Sequence, residues 1–330
     1  KSQYLALMLL MVVSSFAEML SLSAVLPFLG MLSVPEQVYQ HPYMTPINDF
    51  FNIMEPIQLL IPLTVLFIGA ALFAGFIRVI LLFCITRLSY ATGADIGLDI
   101  YRRTLYQDYE HHLSANSSEV ITGIIQKTNT VIGGIVTPVL NLISGTVIFV
   151  SIITTIMFIN TSVATIAMIS VGGLYGLVIL YTRKAVHKNS VSIADQSTEL
   201  VGTLQEGLGG IREVLIDGTQ ELYCSIFHRA DISLRRAMGD NIFIQGSPRF
   251  VLEALGMSLI ALLAYSMLQE NTSDDVVPIL GVLALGAQRL LPILQQLYQS
   301  YAAMNGSVAS FDDILAFLNQ PLPSYANQTC

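Results

Sequence analysis

The chain has 330 residues, 53% of them hydrophobic and 12% charged, about half the ~25% charged share of a soluble domain. Its mean hydropathy is +0.65 and its formal net charge −8. These figures exclude a disordered chain, a disulfide scaffold and an ordinary cytosolic enzyme, and 15 Lys and Arg are too few for a nucleic-acid partner.

A helix crosses ~30 Å of hydrocarbon with about 20 apolar residues. The first such stretch runs from Tyr4 to Leu32, with Glu18 midway and Pro27 near its end. It lacks the small-residue cleavage site of a signal peptide, so it is expected to stay in the membrane. The chain opens on Lys1 and not Met, and a preceding segment is expected. In the loop that follows, Ile47, Phe50, Phe51 and Met54 keep the i, i+3, i+4, i+7 spacing of one helix face. Thr45 can cap that helix and Pro46 suits its first position. Two readings stand side by side: an amphipathic helix at the outer interface that handles lipid, and a cap packed on the first two spans.

The second stretch, Ile57–Ile85, carries Arg78. Beyond it, 89–134 has no strand pattern and few breakers, so the helix is expected to continue, turn once and return. The break, Tyr106–Ala115, holds Tyr109, Glu110, His111 and His112. Adjacent helical residues diverge by ~100°, so this histidine pair is not expected to share a metal. Asn116 and Glu119 form a capping box for the returning helix. The third and fourth stretches, Ile135–Ile159 and Val163–Tyr181, lie so close that they form a tight hairpin. The segment 182–249 repeats the long layout. Gly207, Gly209, Gly210 and Gly218 bracket Ile211–Asp217, which predicts a short cross-helix carrying Arg212 and Glu213. The fifth and sixth stretches are Phe250–Leu268 and Val276–Tyr298. Gly172-x-x-x-Gly176 fits close helix packing, and Pro27, Pro138 and Pro292 are expected to kink their helices. Cys84, Cys224 and Cys330 share no disulfide or ligand spacing.

Lys and Arg fix the orientation. They are absent from 33–56, 160–162 and 269–275 and gathered in 87–127 and 183–236, so both ends and both long connections are expected on the cytoplasmic side. Three arginines sit within or at the ends of apolar stretches, Arg78, Arg249 and Arg289, at depths of about 30, 28 and 20 Å from the outer ends of their helices at 1.5 Å per residue. An intramembrane charge has a partner or a task. All three arginines fall in a similar band toward the inner leaflet, and a ring of guanidinium groups there suits a diphosphate, whose oxygens match the planar fork. Against this stand Glu18, a partner for Arg78 or Arg289, and Glu253, one turn from Arg249.

Particular residues carry a resemblance. Leu204-Gln-Glu-Gly-Leu-Gly-Gly-Ile-Arg-Glu-Val-Leu-Ile-Asp-Gly218 resembles the second intracellular loop of ABC exporters, and Leu105-Tyr-Gln-Asp-Tyr-Glu-His-His-Leu113 the first. Ser307-Val-Ala-Ser-Phe-Asp-Asp-Ile-Leu315 resembles the end of that family's sixth helix. With Ser247-Pro-Arg-Phe-Val-Leu-Glu-Ala-Leu-Gly256, the chain is most similar to the lipid-linked oligosaccharide flippase subgroup. The resemblance implies an all-α membrane protein with six transmembrane helices and two long cytoplasmic helical extensions, over residues 1–318, with 319–330 as the start of a linker. It implies that Tyr109, Glu110, His111 and His112 in one loop and Ile211, Arg212, Glu213 and Asp217 in the other dock on an ATPase. It also implies a homodimer in a bacterial inner membrane, and an amphipathic lipid substrate whose anionic head group meets Arg78, Arg249 and Arg289.

The sequence departs from that family in one respect. No G-x-x-x-x-G-K-[S/T] occurs, nor any Gly-Lys pair, so ATP and Mg²⁺ belong on a nucleotide-binding domain elsewhere, on the same polypeptide or a separate one. Two other readings remain open: an exporter of drugs, peptides or simple lipids, in which the arginines pair with Glu18 and Glu253, and a channel or non-transporting scaffold with short connections.

Overall fold

Apolar helices this long leave their backbone amides no partner but their own carbonyls once water is gone, and the described part of the chain is helical. The structure, a computed structural model, describes residues 2–33, 35–40, 55–109, 123–159, 161–269 and 276–322, together with 44, 53 and 121. Its helices are α1 (Ser2–Ser23), α2 (Val25–Ser33), α3 (Pro35–Tyr39), α4 (Leu60–Leu105), α5 (Thr128–Val131), α6 (Thr137–Ile159), α7 (Thr161–Gly209), α8 (Ile211–Asp217), α9 (Gln220–Gln269), α10 (Val276–Gly306) and α11 (Val308–Leu318). A 3₁₀ turn, Pro56–Leu59, leads into α4, and π-helical turns, Gly123–Lys127 and Ile132–Val136, flank α5. Among the described residues there is no strand.

Three helical runs among these residues are long and apolar enough to cross a membrane, Ser2–Leu32, Pro56–Leu105 and Gly123–Phe158. The fourth, fifth and sixth expected spans fall within α7, α9 and α10. The expected continuation past the membrane is visible in helix length: α4, α7 and α9 have 46, 49 and 50 residues, more than twice the ~20 a crossing needs. Where the tight hairpin is expected, α6 ends at Ile159 and α7 begins at Thr161, and residue 160 between them lies outside the described residues. Proline acts as expected at the first site. The Pro27 ring clashes with the carbonyl four residues back, and α1 stops there, at Ser23. Pro138 likewise stands four residues after Gly134, within the second π turn, while Pro292 lies inside α10.

The chain divides into two compact units. One comprises 1–85, 142–177 and 248–297. Its outer face is apolar, with Leu9, Phe16, Ile61, Leu72 and Phe76 exposed to the surroundings, as lipid contact requires. Met31, Ile53, Leu59 and Leu63 form a small core, and Phe28 stacks on Phe67 with centroids 5.2 Å apart. Tyr39 Oη donates to the Ile53 carbonyl at 3.0 Å. Ile47, Phe50, Phe51 and Met54 lie outside the described residues; Met44 and Ile53 to either side pack with Met31, Leu59 and Leu63. The expected Gly172–Gly176 packing does not occur among the described residues, where a Cβ at either glycine would meet nothing within 4 Å. Close approaches in this unit fall elsewhere, at Gly145 for example, where a Cβ would lie 2.8 Å from Leu297.

The other unit comprises 86–141, 178–247 and 298–330. Ile100, Val131 and Ile314 are buried together, so α4, α5 and α11 share a core. Ser307, which precedes α11, occupies the space that a side chain on Gly134 would need. Gly134→Val is expected to destabilise this unit by about 1–3 kcal/mol through overpacking, read as a fall in the thermal midpoint. In the same unit Asn189 donates to Asn241 at 3.1 Å, and Tyr298 Oη donates to the Ile244 carbonyl at 3.1 Å.

Candidate functional site

The first unit holds a buried charge cluster. Ser14, Ala17, Glu18 and Ser21 fall on one face of α1 and are all buried, because small side chains let neighbouring helices come close. Glu18 is the long one among them, and its carboxylate takes two guanidinium partners. Arg289 Nη1 of α10 donates to Oε2 at 2.7 Å, and Arg78 Nη1 of α4 lies 3.6 Å from Oε1. Arg289 Nη2 donates to Ser21 Oγ at 2.8 Å. A single carboxylate therefore ties three helices, with two positive charges on one negative. The Arg289 side chain is 25% exposed and that of Arg78 43%. Arg249 does not join them. It is exposed, and among the described residues it makes no ion pair with Glu253. The sequence named Glu18 as a partner for either arginine; the structure gives it both. Ser21 was missed, since one serine in an apolar helix carries no signal of its own.

The second unit holds the predicted cross-helix. α8 spans Ile211–Asp217, the bounds its glycines suggest. Gly218 takes φ 65°, the left-handed conformation in which a glycine ends a helix without Cβ strain. The amides of Gly218 and Thr219 both donate to the Val214 carbonyl. Val214 is buried, whereas Ile211, Leu215 and Ile216 are 46, 60 and 71% exposed, and Arg212, Glu213 and Asp217 are exposed beside them. An apolar crevice of about 640 Å³ adjoins α8, lined by Leu204, Leu208, Ile211 and Tyr223 among others. Further along α9, Asp231 accepts from Arg235 Nε at 2.7 Å, which holds that guanidinium above its usual pKa. In the first loop Tyr109 is 75% exposed; Glu110, His111 and His112 lie outside the described residues.

Two further sets of contacts in this unit escaped sequence reasoning. Lys127 Nζ pairs with Asp313 Oδ2 at 2.6 Å. Arg103 Nη1 donates to the Gln320 carbonyl at 2.8 Å and Gln107 Nε2 to that of Pro321 at 3.0 Å, so the end of α4 and the residues just past it hold the chain after α11. Asp99, Arg103 and Gln107 keep a four-residue spacing, the one signal that marks this stripe.

The family model for the ABC transporter transmembrane region matches residues 4–285. A solved structure of a bacterial Atm1-family ABC exporter with ATP bound is similar over 97% of this chain, at 13% identity and a TM-score of 0.67. The match spans 54% of that structure's chain, so this chain corresponds to about half of its length.

Proposed function

The chain belongs to the transmembrane regions of ABC transporters, and on that footing we propose that it is the membrane part of an ATP-driven exporter or flippase of an amphipathic lipid with an anionic head. It acts as a homodimer by alternating access in the bacterial inner membrane, with both ends in the cytoplasm. Its sequence holds no G-x-x-x-x-G-K-[S/T] and no Gly-Lys pair, the features that would hold a nucleotide's phosphates. We assign ATP and Mg²⁺ to a nucleotide-binding domain, on the same polypeptide or a separate one. That domain supplies the driving free energy, and this chain supplies the docking surface, the path and the anion contacts. The observation that carries the reading is α8: a seven-residue helix whose exposed Ile211, Leu215 and Ile216 join two helices of 49 and 50 residues. A channel or scaffold with short connections has no use for such an arrangement.

The head-group reading rests on Arg78, Arg249 and Arg289. Exposed Arg249 favours it. The pairing of Arg78 and Arg289 with Glu18 favours the second reading, an exporter of drugs, peptides or simple lipids with an internal charge balance. ATP hydrolysis by the full-length protein in lipid nanodiscs separates them. Under the first reading a polyprenyl diphosphate stimulates hydrolysis and the matching polyprenol does not. Arg249→Gln is then expected to raise the half-stimulating concentration about tenfold, the worth of one charge-assisted hydrogen bond. Equal stimulation by charged and neutral lipid would favour the second reading.

A further inference from the structure

A carboxylate removed from water in an apolar setting is retained only where something compensates it. Glu18 is 6% exposed, and its compensation is unequal. Arg289 is bound closely, at 2.7 Å, and its second nitrogen is held by Ser21 at 2.8 Å. Arg78 stands off at 3.6 Å with its side chain 43% exposed. The planar pair of donors on Arg289, the group that matches two oxygens of a phosphate, is thus already occupied by α1. The cluster still carries one positive charge in excess, and the more open of its two cations is Arg78.

We propose that Glu18 is a tethered competitor for the substrate's phosphate: the anion enters against Arg78 and displaces the Glu18 carboxylate from Arg289, so that binding frees α1 from α10. This rests on the head-group reading above. A phosphate or diphosphate outcompetes Glu18 because it brings more negative charge and several oxygens to two guanidinium groups at once, where a carboxylate brings one charge. A neutral head cannot make the exchange. Glu18 therefore sets the charge threshold for the substrate, as a specificity-determining residue, and the exchange gives binding a direct mechanical result at the α1–α10 contact. A purely structural tie between the three helices makes the opposite prediction, because removing its charge offers nothing to an incoming anion.

The test uses the full-length transporter in nanodiscs, with a polyprenyl diphosphate and the matching polyprenol as probes. Glu18→Gln is expected to bind the diphosphate about tenfold more tightly, a coupling of ordinary size, and the polyprenol no differently. Spin labels on α1 and α10 report the release: in the unsubstituted protein the diphosphate lengthens the distance, and in Glu18→Gln the distance is long without it. Unchanged or weaker diphosphate binding by Glu18→Gln overturns the proposal. If that variant does not fold, Glu18→Asp, which draws the carboxylate back by one methylene, carries the same expectation and the same refutation. Failure of the underlying reading has a different signature, namely Arg78→Gln and Arg289→Gln both binding the diphosphate as well as the unsubstituted protein does.

Discussion

Replacing Ile211, Leu215 and Ile216 together by alanine is expected to leave the chain folded and to disconnect ATP hydrolysis from transport. All three side chains are more than two-fifths exposed, while Val214, which anchors α8, is 7% exposed and is left in place. Burying one such aliphatic side chain against a partner contributes about 1.5–3 kcal/mol. Losing most of three weakens docking by about 4 kcal/mol, roughly a thousandfold. The expected result in the full-length protein is hydrolysis that continues without stimulation by substrate, with transport lost. Val214→Ala serves as the contrast: it loosens α8 itself and lowers the thermal midpoint. Transport at its ordinary rate in the triple variant would mean that α8 carries no force.

Asp313→Ala is expected to destabilise the second unit by removing the counter-ion of a buried ammonium. Lys127 has a side chain only 8% exposed and is held by Asp313 at 2.6 Å. Without the carboxylate the buried ammonium loses the ion pair that compensates its burial. Breaking a fully buried pair costs about 3–5 kcal/mol. Asp313 is 40% exposed, so water screens part of this interaction, and a loss of about 2 kcal/mol is expected. The double variant Lys127→Met, Asp313→Leu should recover most of it, since neither charge is then left alone. Thermal unfolding of the three proteins measures both effects, and a double variant no more stable than Asp313→Ala would contradict this account of the pair.

The parts of this protein legible in its sequence are those fixed by local rules. Apolar run length announced the three runs that are long and apolar enough to cross a membrane among the described residues. Gly218 marked the end of α8, because a glycine at positive φ is a local device for ending a helix. Pro27 marked the break after Ser23 for an equally local reason. What stayed hidden depends on distant partners or on backbone irregularity. Lys127 and Asp313 are 186 positions apart, and nothing in either segment points to the other. The π turns beside α5 follow no side-chain period, though one of them lies four residues before Pro138. The spacing of Gly172 and Gly176 suggests close packing, yet close approaches fall at glycines such as Gly134 and Gly145, which have no such pattern around them. Glu18 was recognised as a partner because a lone carboxylate in a span is conspicuous. Its choice between Arg78 and Arg289 depended on how α1, α4 and α10 pack, which spacing does not encode.

The most direct measurement is the movement of a fluorescent polyprenyl diphosphate across vesicles containing the full-length protein, followed with and without ATP. The account predicts transfer that requires hydrolysable ATP, is lost in the Ile211, Leu215, Ile216 triple alanine variant, and is absent for the neutral polyprenol. Transfer at the same rate without ATP, or steady hydrolysis with the lipid left in its original leaflet, would contradict it.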